Sequence, residues 1–340
     1  PGVDHPVPYF TDLVGYRNGE WFLSRPLGYV ISAYANNTVI LGGRGSMSEA
    51  IGPVGQESGT GYTYHIGATA GNKGDNGDYI YHPSFVPTYV NEATRSLLYL
   101  PSADGRSVTI ITFDRTNLKS GSKELLFHSP VAATVSGDAV SWRTAGGQNV
   151  RITTLSSSPL TWTVVLASSL PIGGYIFASE LKYAVRIRST NPVKWETNVN
   201  VIQAFDAGVA LSNTRITSNT GDAEGVLVQR SGLNNALVLF NSKQGMDVPM
   251  NVVNDRLVYD RALLSKLNQQ RFHKTGFTVN FTATTPATHV LIADLDPAQT
   301  WRALADGVAV PMTVSPAGIG RLTVNGAGAH SMAVSLGPPD

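Results

Sequence analysis

The chain of 340 residues has no cysteine, few charged residues and no long apolar run. The absence of cysteine excludes thiol catalysis, cysteine-ligated metals and disulfide bonds. Charged residues make up 14% of the sequence, and its 25 Lys and Arg residues balance 24 Asp and Glu residues without forming a basic cluster. We therefore expect no nucleic-acid partner. No stretch reaches the roughly 18 consecutive apolar residues of a membrane-crossing helix, so no membrane span is predicted.

The same absences bear on where the protein works. A chain without cysteine is typical of exported bacterial proteins, so we expect an extracellular or periplasmic location. The sequence starts at Pro1 with neither a Met nor a signal peptide. This start predicts that an upstream segment has been removed.

Short apolar and β-branched runs, separated by turns rich in Gly, Asn, Asp and Ser, recur along most of the chain. This pattern is typical of β-strands. Residues 133–155 are predicted to form consecutive antiparallel strands. Their apolar residues should share one face of the sheet: Val140, Trp142, Val150 and Ile152.

The predicted fold class is therefore all-β. We expect a large antiparallel multi-stranded β-sandwich, of the supersandwich kind, over residues 1–275. A small C-terminal β-sandwich should follow over residues 276–340. Helical spacing of leucines occurs in one stretch, residues 258–270, where we predict a short helix.

Two Tyr-His pairs lie around an irregular, glycine-rich segment, at Tyr64-His65 and at Tyr81-His82. A Tyr/His pair can remove a proton beside a carboxylate and return one to a leaving oxygen. The same aromatic residues also suit a sugar-binding surface. The third interpretation is that they are loop residues with satisfied hydrogen bonds. These four residues are the candidate catalytic groups.

Two metal sites are conceivable from the spacing of ligand-type residues. The loop Asp75-Asn-Gly-Asp78 offers oxygen ligands for Ca²⁺, although an ordinary polar turn has the same composition. Asp114 and His128 end consecutive predicted strands and could bind Zn²⁺, with His82 or His65 as a third ligand. A buried His–Asp hydrogen bond is the alternative.

Three consecutive strand segments resemble the β-sheet domain of heparinase II/III-like polysaccharide lyases. They are an arginine-hydrophobic-proline segment, a strand ending in Asp-Arg and a strand ending in His: Arg95–Pro101, Val108–Arg115 and Lys123–His128. The resemblance extends over roughly residues 90–335 through later strands that match in order: 198–203, 225–228, 236–240 and 294–297.

The resemblance implies β-elimination on an anionic, uronic-acid-containing polysaccharide. In that family a helical toroid precedes the β-domain and supplies the catalytic Tyr, while the β-domain supplies a His and, in some members, a zinc site. This chain has no toroid-like sequence, so a helical domain upstream or on a second chain is the expected partner. The resemblance carries over to Asp114 and His128 as metal or structural ligands. In such a lyase, substrate carboxylates could pair with Arg17, Arg25 and Arg44.

Two other functions fit the same sequence. The aromatic segment 62–89 could bind a glycan without cleaving it. The chain could also be a purely structural surface protein that assembles with itself. Saturable glycan binding without cleavage would favour the first of these, and self-assembly without a small-ligand site would favour the second.

Overall fold

A computed structural model of the chain is almost entirely β-strand, which confirms the predicted fold class. The described residues include two single-turn 3₁₀ helices, at Ala33–Ala35 and Ala167–Ser169. Within the described residues no helix is long and apolar enough to cross a membrane. The structure describes residues 12–24, 33–42, 44–45, 53–59, 62–70, 90–102, 104–172, 181–190, 194–217, 221, 223–229, 236–242, 258–259, 263–264, 277–316 and 319–337.

The chain divides into two compact units, the first formed by residues 1–101 and 106–208. The strands described in it are β1 Gly15–Arg17, β2 Glu20–Leu23, β3 Val39–Leu41, β4 Arg44–Gly45, β5 Pro53–Gly59, β6 Tyr62–Ala70, β7 Val90–Pro101, β8 Ser107–Leu118, β9 Lys123–Ser129, β10 Thr134–Ser136, β11 Ala139–Arg143, β12 Asn149–Ser156, β13 Leu160–Leu166, β14 Tyr183–Ser189 and β15 Trp195–Phe205.

These strands form two large antiparallel sheets and one hairpin. The eight-stranded sheet has the order β10-β11-β12-β15-β8-β7-β6-β5, and the five-stranded sheet has the order β13-β14-β9-β3-β4. Strands β1 and β2 pair as a separate hairpin. The connection from β8 to β9 therefore carries the chain from one sheet to the other.

The core of the first unit lies between the eight-stranded and five-stranded sheets, where alternate strand residues point inward. Val140 lies opposite Ile152 and Trp142 lies opposite Val150 in the β11–β12 ladder. All four belong to the same buried cluster as residues of β9 and β14. The predicted shared face of residues 133–155 is confirmed.

The second unit comprises residues 102–105 and 209–340. A three-stranded sheet has the order β16-β17-β18, and the other sheet has the order β19-β21-β24-β22-β23 with β20 also paired to β21. The strands are β16 Asn213–Thr217, β17 Ala223–Val228, β18 Ala236–Asn241, β19 Val258–Tyr259, β20 Leu263–Leu264, β21 Phe277–Asp294, β22 Trp301–Ala305, β23 Val308–Val310 and β24 Ile319–Leu336.

Two predictions for this region differ from the structure. The boundary between the two units falls after Gly208 rather than after residue 275. The reason is that Leu237 and Leu239 of β18 share one buried core with Val279 of β21 and Met332 of β24. The predicted helix over residues 258–270 is wrong where the chain is described, since β19 and β20 pair in parallel with β21.

Candidate functional site

A fully buried ion pair links β7 to β8 in the interior of the first unit. Arg95 Nε donates to Asp114 Oδ1 at 2.6 Å, and Arg95 Nη2 donates to Asp114 Oδ2 at 3.0 Å. The two side chains are 2% and 0% exposed. Asn200 of β15 donates a further hydrogen bond to Asp114 Oδ2 at 2.9 Å. Both carboxylate oxygens of Asp114 are therefore occupied by donors from the neighbouring strands.

The network continues to the five-stranded sheet through Asn37, which lies just before β3. Arg95 Nη1 donates to the Asn37 backbone carbonyl at 2.8 Å. The Asn37 side-chain oxygen accepts from the backbone N–H of His128 in β9. Its amide nitrogen donates to the carbonyl oxygens of Leu13 and Ser24. Asn37 thus ties the residues around Asp114 to those around His128.

His128 is completely buried. Its Nε2 lies 3.0 Å from the carbonyl oxygen of Tyr34, and because that oxygen only accepts, Nε2 carries the proton. Burial lowers the pKa of His128 to about 4, although backbone hydrogen bonding to Tyr34 and Tyr183 acts in the opposite direction. The imidazole is therefore neutral at neutral pH.

These contacts correct the expected placement of Asp114 and His128. Asp114 lies inside β8 rather than at its end, and the strands next to β8 are β7 and β15, not β9. Asp114 does not fit a metal ligand in this arrangement, because the Arg95 cation occupies both of its oxygens. Within the described ranges, no three His, Asp or Glu side chains meet in a way that could hold a metal ion. Among the described contacts no hydrogen bond joins His128 to Asp114, so the alternative of a buried His–Asp hydrogen bond is not seen either; Arg95 and Asn37 connect the two buried residues indirectly.

The first Tyr-His pair does not form one site. Tyr64 and His65 are neighbours on β6, and successive side chains of a strand point to opposite faces. Tyr64 is 3% exposed and its hydroxyl donates to Ser96 Oγ at 3.4 Å. His65 is partly exposed on the other face. His65 is therefore accessible from solvent, whereas Tyr64 is buried.

A second tyrosine, which sequence reasoning missed, shares the face of His65. Tyr99 of β7 lies directly opposite Thr63, two residues before His65 on β6, so it is a diagonal neighbour of the histidine. Diagonal neighbours have Cα atoms roughly 7–8 Å apart, within reach of aromatic side chains. Tyr99 is 38% exposed. The sequence feature that could have revealed Tyr99 is its polar hydroxyl within the otherwise apolar run 97–100. The pair formed by His65 and Tyr99 is named the β6–β7 surface pair.

Arg17, expected to bind substrate carboxylates, already has polar partners within the protein. Its Nη1 lies 2.8 Å from Asp206 Oδ1 and donates to Gln148 Oε1 at 2.9 Å. Its side chain is only 9% exposed. On the same hairpin, Glu20 accepts hydrogen bonds from Thr144, from the Gly146 N–H at 2.8 Å and from Gln148 at 2.8 Å. Arg17 therefore fixes the β1–β2 hairpin to the loop at residues 144–148.

This hairpin carries an aromatic corner made of Tyr16 and Trp21. The two residues face each other across the β1–β2 ladder. Their rings meet edge to face, with centroids 5.0 Å apart and an interplanar angle of 68°. Tyr16 is 59% exposed. Amphipathic rings held in this way offer both a face and an edge to a ligand.

The remaining candidates lie outside the described residues. They are Tyr81, His82, Arg25 and the calcium loop 75–78. Arg44 lies in β4, and only its backbone is described. Their roles stay predictions.

Solved structures of a heparan sulfate lyase and of heparinase III align with part of this chain. A mutant of the heparan sulfate lyase HepC from Pedobacter heparinus aligns with a TM-score of 0.50 and 14% identity, over 72% of this chain and 38% of that one. The HepC structure without the mutation aligns with a TM-score of 0.48 and 14% identity, over 67% of this chain and 36% of that one. A heparinase III structure aligns with a TM-score of 0.41 and 12% identity, over 59% of this chain and 29% of that one. No family model and no curated protein matches the sequence.

The HepC mutant likeness supports a heparinase-like all-β fold for this chain. The aligned part spans well under half the length of each of these lyases. At 14% identity the likeness concerns the fold alone.

Proposed function

We propose that the chain is the β-sheet module of a polysaccharide lyase that cleaves an anionic, uronic-acid-containing polysaccharide by β-elimination. A helical toroid domain, upstream in the same protein or on a second chain, completes the enzyme. The observation that carries this proposal is the fold likeness to a heparan sulfate lyase over 72% of this chain but only 38% of the lyase. An extracellular or periplasmic location belongs to the proposal, since such polymers lie outside the cytoplasm.

The β6–β7 surface pair supplies groups suited to this reaction. In β-elimination a base removes the proton at C5 of the uronic acid, a C4–C5 double bond forms, and the C4–O4 bond breaks. His65 takes the C5 proton, and the Tyr99 hydroxyl gives its proton to the departing O4. The diagonal placement of the two side chains on one sheet face lets them address adjacent atoms of one sugar ring.

The C6 carboxylate of the substrate needs a positive or hydrogen-bonding neighbour, because neutralising it makes the C5 proton more acidic. Arg17 is engaged by Asp206 and Gln148 and is not assigned to this task. Arg25 and Arg44 stay the candidates from this chain. The toroid domain would supply further donors, and the assignment needs no metal at Asp114.

The test measures the ultraviolet absorbance of unsaturated uronic acid released from heparan sulfate, hyaluronan and alginate. The chain is assayed alone and together with the protein segment encoded next to it. We expect product formation on at least one polymer with the adjoining segment present. Absence of unsaturated product from all three polymers in both arms would overturn the proposal.

Variants of the surface pair test the residue assignment. His65→Gln and Tyr99→Phe should each lower kcat by about 10²-fold to 10⁴-fold, which is the usual contribution of one general acid or base. Ser141→Ala is a matched control, because Ser141 is exposed on β11 of the same sheet. Full activity in both pair variants would remove His65 and Tyr99 from the chemistry without refuting the lyase function.

A second function, glycan binding without cleavage, is favoured by the aromatic corner of Tyr16 and Trp21. Exposed aromatic rings stack on the apolar faces of pyranose rings. Binding with no unsaturated product, weakened at least tenfold by Tyr16→Ala and Trp21→Ala, would favour this function over the lyase. Unchanged binding in both variants would exclude the corner as the contact.

A further inference from the structure

A small cavity with both polar and apolar lining residues lies between the two large sheets of the first unit. The eight-stranded sheet contributes Thr116, Glu196 and Asn198, and the five-stranded sheet contributes Lys123 and Ser189. The apolar side chains that complete its wall are Val39, Leu125, Leu160 and Ile187. Asn198 lies opposite Asp114 in the β8–β15 ladder, so the cavity adjoins the buried Arg95–Asp114 network.

Two buried oxygen atoms on residues lining this cavity, Ser189 Oγ and Asn198 Oδ1, have no hydrogen-bond partner among the described residues, and Glu196 Oε2 has the ion pair with Lys123 but no well-aligned hydrogen bond there. Glu196 is 1% exposed and Asn198 is 5% exposed, so bulk water does not satisfy them directly. A buried polar atom left unsatisfied destabilises the folded state. Three oxygens with unused hydrogen-bonding capacity around one cavity point to a shared hydrogen-bonding partner.

The charges around the cavity balance each other. Lys123 Nζ lies 3.4 Å from Glu196 Oε2 and donates to the backbone oxygens of Thr116 and Lys194. Burial lowers the pKa of Lys123 and raises the pKa of Glu196, while their mutual attraction opposes both shifts. The other carboxylate, Glu124, pairs with Arg186 and Arg188. No uncompensated negative charge is available to hold a cation, and the two acceptor oxygens disfavour an anion.

We propose that this cavity binds one ordered water molecule as part of the folded structure. The space open to the centre of a water molecule is about 10 Å³, which is room for about one. The water donates its two hydrogens to Glu196 Oε2 and Asn198 Oδ1 and accepts from the Ser189 hydroxyl. Three partners is the usual number for a buried water. The water thus connects β15 of one sheet to β14 of the other.

The first test is a high-resolution crystal structure of the whole chain, grown with rubidium ions present. We expect one oxygen peak within hydrogen-bond distance of Ser189 Oγ, Glu196 Oε2 and Asn198 Oδ1, without anomalous signal. A rubidium signal at that position would replace the water with a monovalent cation and overturn the proposal. An empty cavity would overturn it as well.

The second test is a double-variant cycle in solution. Ser189→Ala and Asn198→Ala each remove one partner of the same water, so the shift in unfolding midpoint for the double variant should be smaller than the sum of the single shifts. Ser141→Ala combined with Asn198→Ala is the control pair and should be additive. Additive shifts in the first pair would contradict a shared water.

Discussion

Replacing Arg95 by methionine tests the buried network most severely. Arg95 donates two hydrogen bonds to the Asp114 carboxylate and one to the Asn37 carbonyl. Methionine keeps much of the apolar volume of the arginine side chain. It leaves the Asp114 carboxylate, which is 0% exposed, with only the Asn200 amide as a donor in this network. Breaking a buried pair by removing one partner costs about 3–5 kcal/mol. We expect Arg95→Met to lower the free energy of unfolding by that amount.

The assay is urea unfolding at neutral pH, followed by tryptophan fluorescence and circular dichroism. Arg106→Met is the control, because Arg106 is exposed and its Nη2 donates to the Ala207 backbone carbonyl at 3.1 Å rather than to a buried carboxylate. Arg106→Met should lower the free energy of unfolding by less than about 1 kcal/mol. The double variant Arg95→Met/Asp114→Leu should cost less than the sum of the two single variants, since the second change removes the stranded charge.

A cost below about 1 kcal/mol for Arg95→Met would refute the reasoning, because it would mean that Asp114 finds another partner or is solvated. Addition of EDTA or Zn²⁺ should leave the unfolding midpoint unchanged. A midpoint that fell with EDTA and recovered with Zn²⁺ would restore the metal interpretation of Asp114 and His128.

Two further predictions concern pH and close packing. The pKa of His128 is lowered to about 4 in the folded chain, against about 6.5 unfolded. The unfolded chain therefore takes up the proton first as the pH falls, and the protein should lose about 3 kcal/mol of stability between pH 6.5 and pH 4 through this group, with no further loss below pH 4. Unfolding curves of wild type and His128→Gln across this range check it, and equal pH slopes would contradict it. Gly225→Ala would place a Cβ 1.7 Å from the Val238 carbonyl oxygen and should cost about 3 kcal/mol or more. Gly105→Ala, at a φ of +68° in open space, should cost only about 1 kcal/mol by the same unfolding assay.

The sequence predicted the structure well where apolar and polar residues alternate along a strand. The hairpins of residues 133–155 and their inward face followed from alternation alone. Alternation also separates Tyr64 from His65, although the pair looks contiguous in the sequence. The passage from β8 to β9 was not predictable in this way, because nothing in residues 119–122 shows that the chain changes sheets.

The burial of polar residues was the second feature that could not be predicted from the sequence. Asp114 looked like a strand end because polar residues follow it, yet β8 continues to Leu118 with all twelve residues buried. Those polar side chains are accommodated by partners distant in sequence, including Arg95 and Asn200, that a single sequence does not reveal. Tyr99 was missed because a run of leucines around it suggested a wholly buried strand.

The central claim is that this fold serves polysaccharide cleavage by elimination rather than hydrolysis. The most direct measurement is mass spectrometry of oligosaccharides released from heparan sulfate in ¹⁸O-labelled water, by the chain together with its adjoining segment. Elimination predicts unsaturated products that carry no ¹⁸O from cleavage, and their loss in His65→Gln. Saturated products labelled with ¹⁸O would show hydrolysis and contradict the account.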